Sequence, residues 1–239
     1  MPRSALRRLG PIAEDQWGLI SSRQIAEAGV DADTAYRLVK ETSLERVAHG
    51  VYRVAGAPQP DHIELRAAWI QLAPSTPVWQ RGPEQGVVSH RSAAAVQSLG
   101  HLSADRHEFI LPRRRQPSRR DVRIHVGLIA PGEWFSIQGL LVTRPARTAF
   151  DLVAEREDPG AVAQVIADSI RDVKDYPGRF AESLSPLAGR FGFRRGDGIA
   201  LLGWLLELSG DPHWQDWMAD VRRSRRASSD ERSSGGSIR

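Results

Sequence analysis

Between Asp33 and Lys40 the chain spaces polar groups as a helix that reads nucleic-acid bases would. On a helix turning about 100° per residue, Ala35, Leu38 and Val39 share one apolar stripe. Asp33, Arg37 and Lys40 then cluster on the opposite face, with Thr34 and Tyr36 on its flanks. Such groups hydrogen-bond to base edges and phosphates. A solvated helix can carry the same face, and Asp33–Arg37 is also an ordinary i, i+4 ion pair. The elements around the helix therefore decide between these two readings.

Residues 19–54, LISSRQIAEAGVDADTAYRLVKETSLERVAHGVYRV, supply those elements. Ser21 or Ser22 can cap a first helix carrying Ile25, Ala26 and Ala28, and Gly29 can end it. Asp31 caps the second. LERV and VYRV alternate apolar with polar residues around Ala48-His49-Gly50, the signal of a β-hairpin. Two short helices followed at once by a β-ribbon have the order of a winged helix-turn-helix, whose second helix enters a DNA groove. Arg46, His49 and Arg53 would put phosphate donors on or near the wing tip. Ser22 and Arg23, at the start of the first helix, complete this candidate set.

Upstream, residues 1–11 carry Arg3, Arg7 and Arg8 and read as a loose arm, and IAEDQWG as a short helix. Downstream, AGAPQP is a break, which sets the expected domains: a winged helix over 1–56, a second domain over 61–220 and a disordered basic tail over 221–239. The second domain opens with a helix near 61–73. VVSHRSAAAVQSLG predicts another, ended by Gly100. His90 and Arg91 at its start suit either a phosphate site or an ordinary cap. HEFILP, VRIHV, EWFSI and LLVT predict short strands, with Gln138-Gly139 turning the last pair. Helices are expected over 145–157, 159–172, 180–190 and 197–209, with an amphipathic turn at HWQDWM. The fold class expected is α+β, with the sheet of the second domain mainly antiparallel.

Between the first two of those strands lies RRRQPSRR, led by Arg113, Arg114 and Arg115. It is either a solvated loop or a cationic track for a DNA backbone. The formal net charge of +4 is compatible with a polyanionic partner. Nearly all the basic residues are Arg, however, with Lys only at Lys40 and Lys174, so a compositional bias dilutes the meaning of any single arginine. There is no cysteine, which fits a reducing cytoplasm. No apolar run has the length of a membrane span, and the first residues lack the apolar core of a secretory signal.

Catalytic signatures are missing. The chain has no phosphate-binding glycine loop, HExxH or GxSxG, and its seven histidines show no metal-ligand spacing. Strands 107–143 offer only Glu108, Asp121 and Glu133, without the acidic pattern of a nuclease or nucleotidyltransferase. No catalytic residue, metal or cofactor is expected, and the chain does not read as an enzyme.

GLISSRQIAEAGV, LERVAHGVYRVAG, VVSHRSAAAVQSLG, HEFILPRRR and GLLVTRPARTAFDLV, in that order, resemble the AbiEi family of antitoxins. The wing residues Leu44, Arg46, Gly50, Val51 and Tyr52 and the helix bearing Thr148, Asp151 and Leu152 carry the resemblance most specifically. It spans roughly residues 12–170 and leaves 175–239 without a counterpart. It implies an N-terminal winged helix and a mixed α/β antitoxin domain. It also implies a transcriptional autorepressor, bound to double-stranded DNA upstream of its own gene. The operon's other product would be a nucleotidyltransferase-like toxin, countered in type IV fashion without a stable complex. Two other classes stay open: an interaction protein that only sequesters a partner, and a nuclease-related protein that uses the wing for targeting.

Overall fold

In the computed structural model the backbone is described for residues 2–116 and 119–234, and side chains are described over 4–225 with the same interruption. Neither Pro117 and Ser118 of the basic loop nor residues 235–239 of the expected tail are among them. The class is α+β. In order, the helices are α1 (Pro2–Glu14), α2 (Ser22–Glu27), α3 (Ala32–Lys40), α4 (Ile63–Leu72), α5 (His90–Val96), α6 (Pro145–Ala154), α7 (Pro159–Arg171), α8 (Pro177–Leu184), α9 (Gly198–Ser209) and α10 (Trp214–Ser234). The strands are β1 (Leu19–Ser21), β2 (Leu44–Ala48), β3 (Val51–Val54), β4 (Val87–Val88), β5 (His107–Leu111), β6 (Val122–Val126), β7 (Trp134–Ile137) and β8 (Leu140–Thr143).

Contacts group these residues into two compact units. One comprises 1–88, 106–129 and 135–142, and the other 89–105, 130–134 and 143–239. This grouping follows contacts rather than chain order, so it differs from the division expected at residues 56–61.

In the first unit, β1, β3 and β2 form an antiparallel sheet in that order. Its two faces serve different cores because strand side chains alternate. Ile20, Tyr52 and Val54 face Ala5, Leu9, Ala13, Ile25, Val30 and Leu38 of the helical side. Leu19 and Val51 face Ala67 and Ile70 of α4. Buried between layers, α4 explains its two apolar stripes: everything from Leu65 to Ile70 is inside, as is Leu72.

Residues 2–11 are no loose arm. Ala5, Leu9 and Ala13 recur every fourth position and are buried, so one helix runs through Gly10-Pro11 to Glu14. The tertiary stripe outweighs the two helix breakers that the sequence reading took as a boundary.

The second sheet has the order β6-β5-β4-β8-β7. Contrary to the mainly antiparallel expectation it is mixed: β4 runs antiparallel to β5, but β5–β6 and β4–β8 are parallel. Alternation predicts strands without giving direction, and connections as long as 112–121 allow the chain to return to the same end before pairing. The short strand β4 was also hidden, its Val87-Val88 having been read as the start of a helix. Gln138 and Gly139 do turn β7 into β8, both at positive φ (47° and 81°), as a two-residue hairpin requires.

The second unit buries a helical core from Ala94 and Leu99 through α6, α7, α8 and α9 to Met218 and Val221. Helix α10 continues past residue 221, where a disordered tail was expected, since Val221 is itself only 6% exposed. In this unit Arg91 acts as an anchor, while His90 lies against its chain neighbour. His90 Nδ1 is 2.9 Å from the Ser89 hydroxyl, and Arg91 pairs with Glu157 at 2.7 Å. Among the described residues no helix is long and apolar enough to cross a membrane.

Candidate nucleic-acid interface

Helix α2 begins at a capping box. The Ser21 hydroxyl accepts from Gln24 N at 3.0 Å, and the Gln24 side chain accepts from Ser21 N at 3.0 Å. Ser21 is thus the cap, while Ser22 is exposed and its N–H donates to Gly50 O at 2.8 Å. That bond ties the start of α2 to the wing turn. Arg23 is exposed beside it.

Gln16 and Gln24 form the buried polar centre of the module. Each amide donates to the other, at 3.0 and 2.8 Å, and Gln16 also donates to Leu19 O at 3.1 Å. Val78 N completes the set by donating to Gln16 Oε1 at 3.2 Å. From α1, Arg8 reaches the end of α2 and donates to Ala28 O and Gly29 O at 3.1 and 2.9 Å. The carbonyls left over where α2 ends are so satisfied by a cation, which also suits the helix dipole. Sequence reasoning missed all three residues. Only the Ser21-x-x-Gln24 spacing carried a signal.

Asp31 caps α3, accepting from Thr34 N at 2.8 Å and from the Thr34 hydroxyl at 3.0 Å. The backbone N–H of Thr34, above all, holds the Asp31 carboxyl below its ordinary range, with its hydroxyl next. Arg37 donates to the same hydroxyl at 3.0 Å. Thr34, only 7% exposed, therefore braces the helix and does not present itself to a ligand. The outward face consists of Asp33, Tyr36, Arg37 and Lys40. Tyr36 is 68% exposed, far more than a ring of that size needs for packing.

In the wing the register pairs Leu44 with Val54, Glu45 with Arg53 and Arg46 with Tyr52. It slips between Arg46 and Ala48, a bulge at the tip. Arg46 Nη2 donates to His49 Nδ1 at 3.2 Å, so two exposed donors gather there. Arg53 does not join them. It lies on the α4 side of β3, pairs with Glu45 at 2.5 Å and donates to Ala57 O at 3.1 Å. Its guanidinium is spent on holding the wing's base.

The basic loop belongs to the same unit. Arg113 and Arg114 are exposed, whereas Arg115 donates to Leu72 O at the end of α4. The structure thus gathers Ser22, Arg23, Asp33, Tyr36, Arg37, Lys40, Arg46 and His49 on the helix-turn-helix and wing. It removes Thr34 and Arg53 from the exposed set.

A helix pair, an outward polar face on the second helix and a hairpin wing are the parts of a DNA-reading head. Residues 7–55, which span all of them, match the family described as transcriptional regulator, AbiEi antitoxin. Over that stretch the chain is similar to AbiEi antitoxin regulators. No curated protein matches the chain. Within this winged helix the geometry divides the labour. Gln16, Gln24, Arg8 and Thr34 fix the helices, and the exposed side chains are left available to a partner.

Proposed function

We propose that the protein represses transcription of its own operon by binding double-stranded DNA upstream of its gene. In this reading it is the antitoxin of a type IV pair and counters a nucleotidyltransferase-like toxin without a stable complex, acting in the cytoplasm and without catalysis of its own. The observation that carries the DNA-binding step is the exposed face of α3. Tyr36, Arg37 and Lys40 stand outward on α3, while α1 and α4 cover other faces of the module.

In this reading Arg37 and Lys40 contact base edges or adjacent phosphates, and Tyr36 packs against the groove wall. A good base contact contributes about 1–3 kcal/mol, and a phosphate contact adds to the salt dependence. A band-shift titration of the gene's upstream DNA tests this. Arg37→Ala with Lys40→Ala should weaken binding at least tenfold while the far-ultraviolet circular dichroism stays unchanged. Unaltered affinity would remove α3 from the role of reader. The toxin is tested separately, by co-expressing the neighbouring nucleotidyltransferase-like reading frame, where growth rescue without co-purification is the expected result.

A further inference from the structure

The wing tip and the basic loop after β5 are mechanically joined. Gln71, on α4, donates its amide to His49 O in the wing turn at 2.7 Å. Its carbonyl oxygen in turn accepts from Arg119 Nη1 at 3.4 Å. Arg119 is fixed from its other side by a two-pronged pair with Asp121, of which Nε–Oδ1 is 2.9 Å. Arg115 anchors the near arm of the loop on Leu72 O, one residue beyond Gln71. Of the two arginines on either side of residues 117–118, Arg115 is thus held next to Gln71, the residue that holds the wing, and Arg119 by Gln71 itself.

Arg113, Arg114 and Arg120, by contrast, are exposed. None of the three forms an ion pair with another described residue. Two arginines are used to fasten the segment and three are left outward, an arrangement that a merely solvated loop has no need of. Arg119, next to Arg120, is separated from the wing turn by the single side chain of Gln71, and a duplex seated on α3 and the wing would continue past that tip.

We infer that α3, the wing and this loop form one continuous track, in which Arg113, Arg114 and Arg120 bind the phosphate backbone of duplex DNA beyond the stretch read by α3 and the wing. Gln71 is the positioning residue that keeps the loop in register with the wing tip. The inference rests on the proposed reading of the winged helix. It adds that the bound DNA is longer than the winged helix alone would cover, and that the added contacts are indifferent to sequence.

The test is a set of upstream duplexes shortened stepwise from each end, titrated at several salt concentrations. Wild-type protein should lose affinity when the last half to one helical turn, about 5–10 bp, is removed on one side. Arg113→Ala/Arg114→Ala/Arg120→Ala should bind long and short duplexes alike. It should also lower the slope of log K against log salt by about 2–3, since each phosphate contact contributes about 0.9. Gln71→Leu should lose the length dependence yet keep wild-type affinity for the shortest duplex, an effect that general damage to the wing would not give. An unchanged slope and length dependence in the triple variant would overturn the track. Weaker binding of the shortest duplex by Gln71→Leu would overturn the role given to Gln71. If the triple variant behaves as expected while Arg37→Ala/Lys40→Ala binds normally, the loop stands and the reading of α3 fails. If wild-type protein binds no duplex, both fall.

Discussion

Replacing Gln24 by Leu should destabilise the winged helix in a way that reports on the buried amide pair. The substitution keeps roughly the same volume but removes both bonds exchanged with Gln16, at 3.0 and 2.8 Å, and leaves Ser21 N–H without its 3.0 Å acceptor. Gln16 is fully buried and Gln24 nearly so, and water cannot replace the lost partners. A buried orphan costs about 1–3 kcal/mol and each lost neutral bond about 1 kcal/mol, so about 2–4 kcal/mol is expected. Gln16→Leu should cost a similar amount, because it orphans Val78 N–H and the amide of Gln24. The double variant Gln16→Leu/Gln24→Leu should cost less than the sum by about 1–3 kcal/mol, since the mutual bonds are lost only once and two apolar side chains face each other. Urea denaturation followed by tryptophan fluorescence gives the cycle, with an unchanged m-value as the check that the compared states are the same. Additivity to within about 0.5 kcal/mol would show that the two amides do not act as a unit and would refute the argument.

Two further outcomes follow from single positions. His107 titrates below its ordinary value, chiefly because burial disfavours its charged form and then because of the Arg119 charge, with Asp121 and Glu64 opposing. The unfolded chain therefore takes up the proton first: stability is full above the ordinary histidine value of 6.5 and falls as the pH drops through the window below it. His107→Gln should flatten the change in urea midpoint between about pH 7.5 and pH 5.5, and an equal change in both proteins would count against this. At the wing turn, Gly50 has φ of +68° and a Cβ there would lie 3.1 Å from the Ser22 hydroxyl. Gly50→Ala should cost about 1–2 kcal/mol in thermal or urea unfolding through the left-handed backbone alone, and a neutral result would mean that the turn relaxes.

The winged helix-turn-helix could be read from residues 19–54 because its signals are local. A capping serine, a turn glycine, an i, i+3, i+4 apolar stripe and a hairpin alternation each reflect a few neighbouring residues, and together they leave little choice of module. The outward face of Asp33, Tyr36, Arg37 and Lys40 followed from helix geometry alone. Thr34 and Arg53 were expected to be available to a partner, and the structure engages both within the chain. Sequence spacing tells which way a side chain leaves the backbone but not whether another group has already engaged it. Thr34 is taken by Asp31 and Arg37, and Arg53 by Glu45 and Ala57.

What only the tertiary structure decided depends on pairs far apart in the chain. Helix α1 exists through Gly10-Pro11 because its buried stripe meets α3, a contact that no local rule contains. The strand directions of the second sheet rest on pairings such as Val88 with Val142, which alternation leaves unspecified. That the basic run is tied to the wing turn depends on Gln71, forty-odd residues earlier, which bonds to both Arg119 and His49. Periodicity gives the direction in which a side chain leaves its element, since it acts over one or two turns. It does not fix which outward residues become neighbours, because that is set by chain crossings whose energy comes from packing the whole unit.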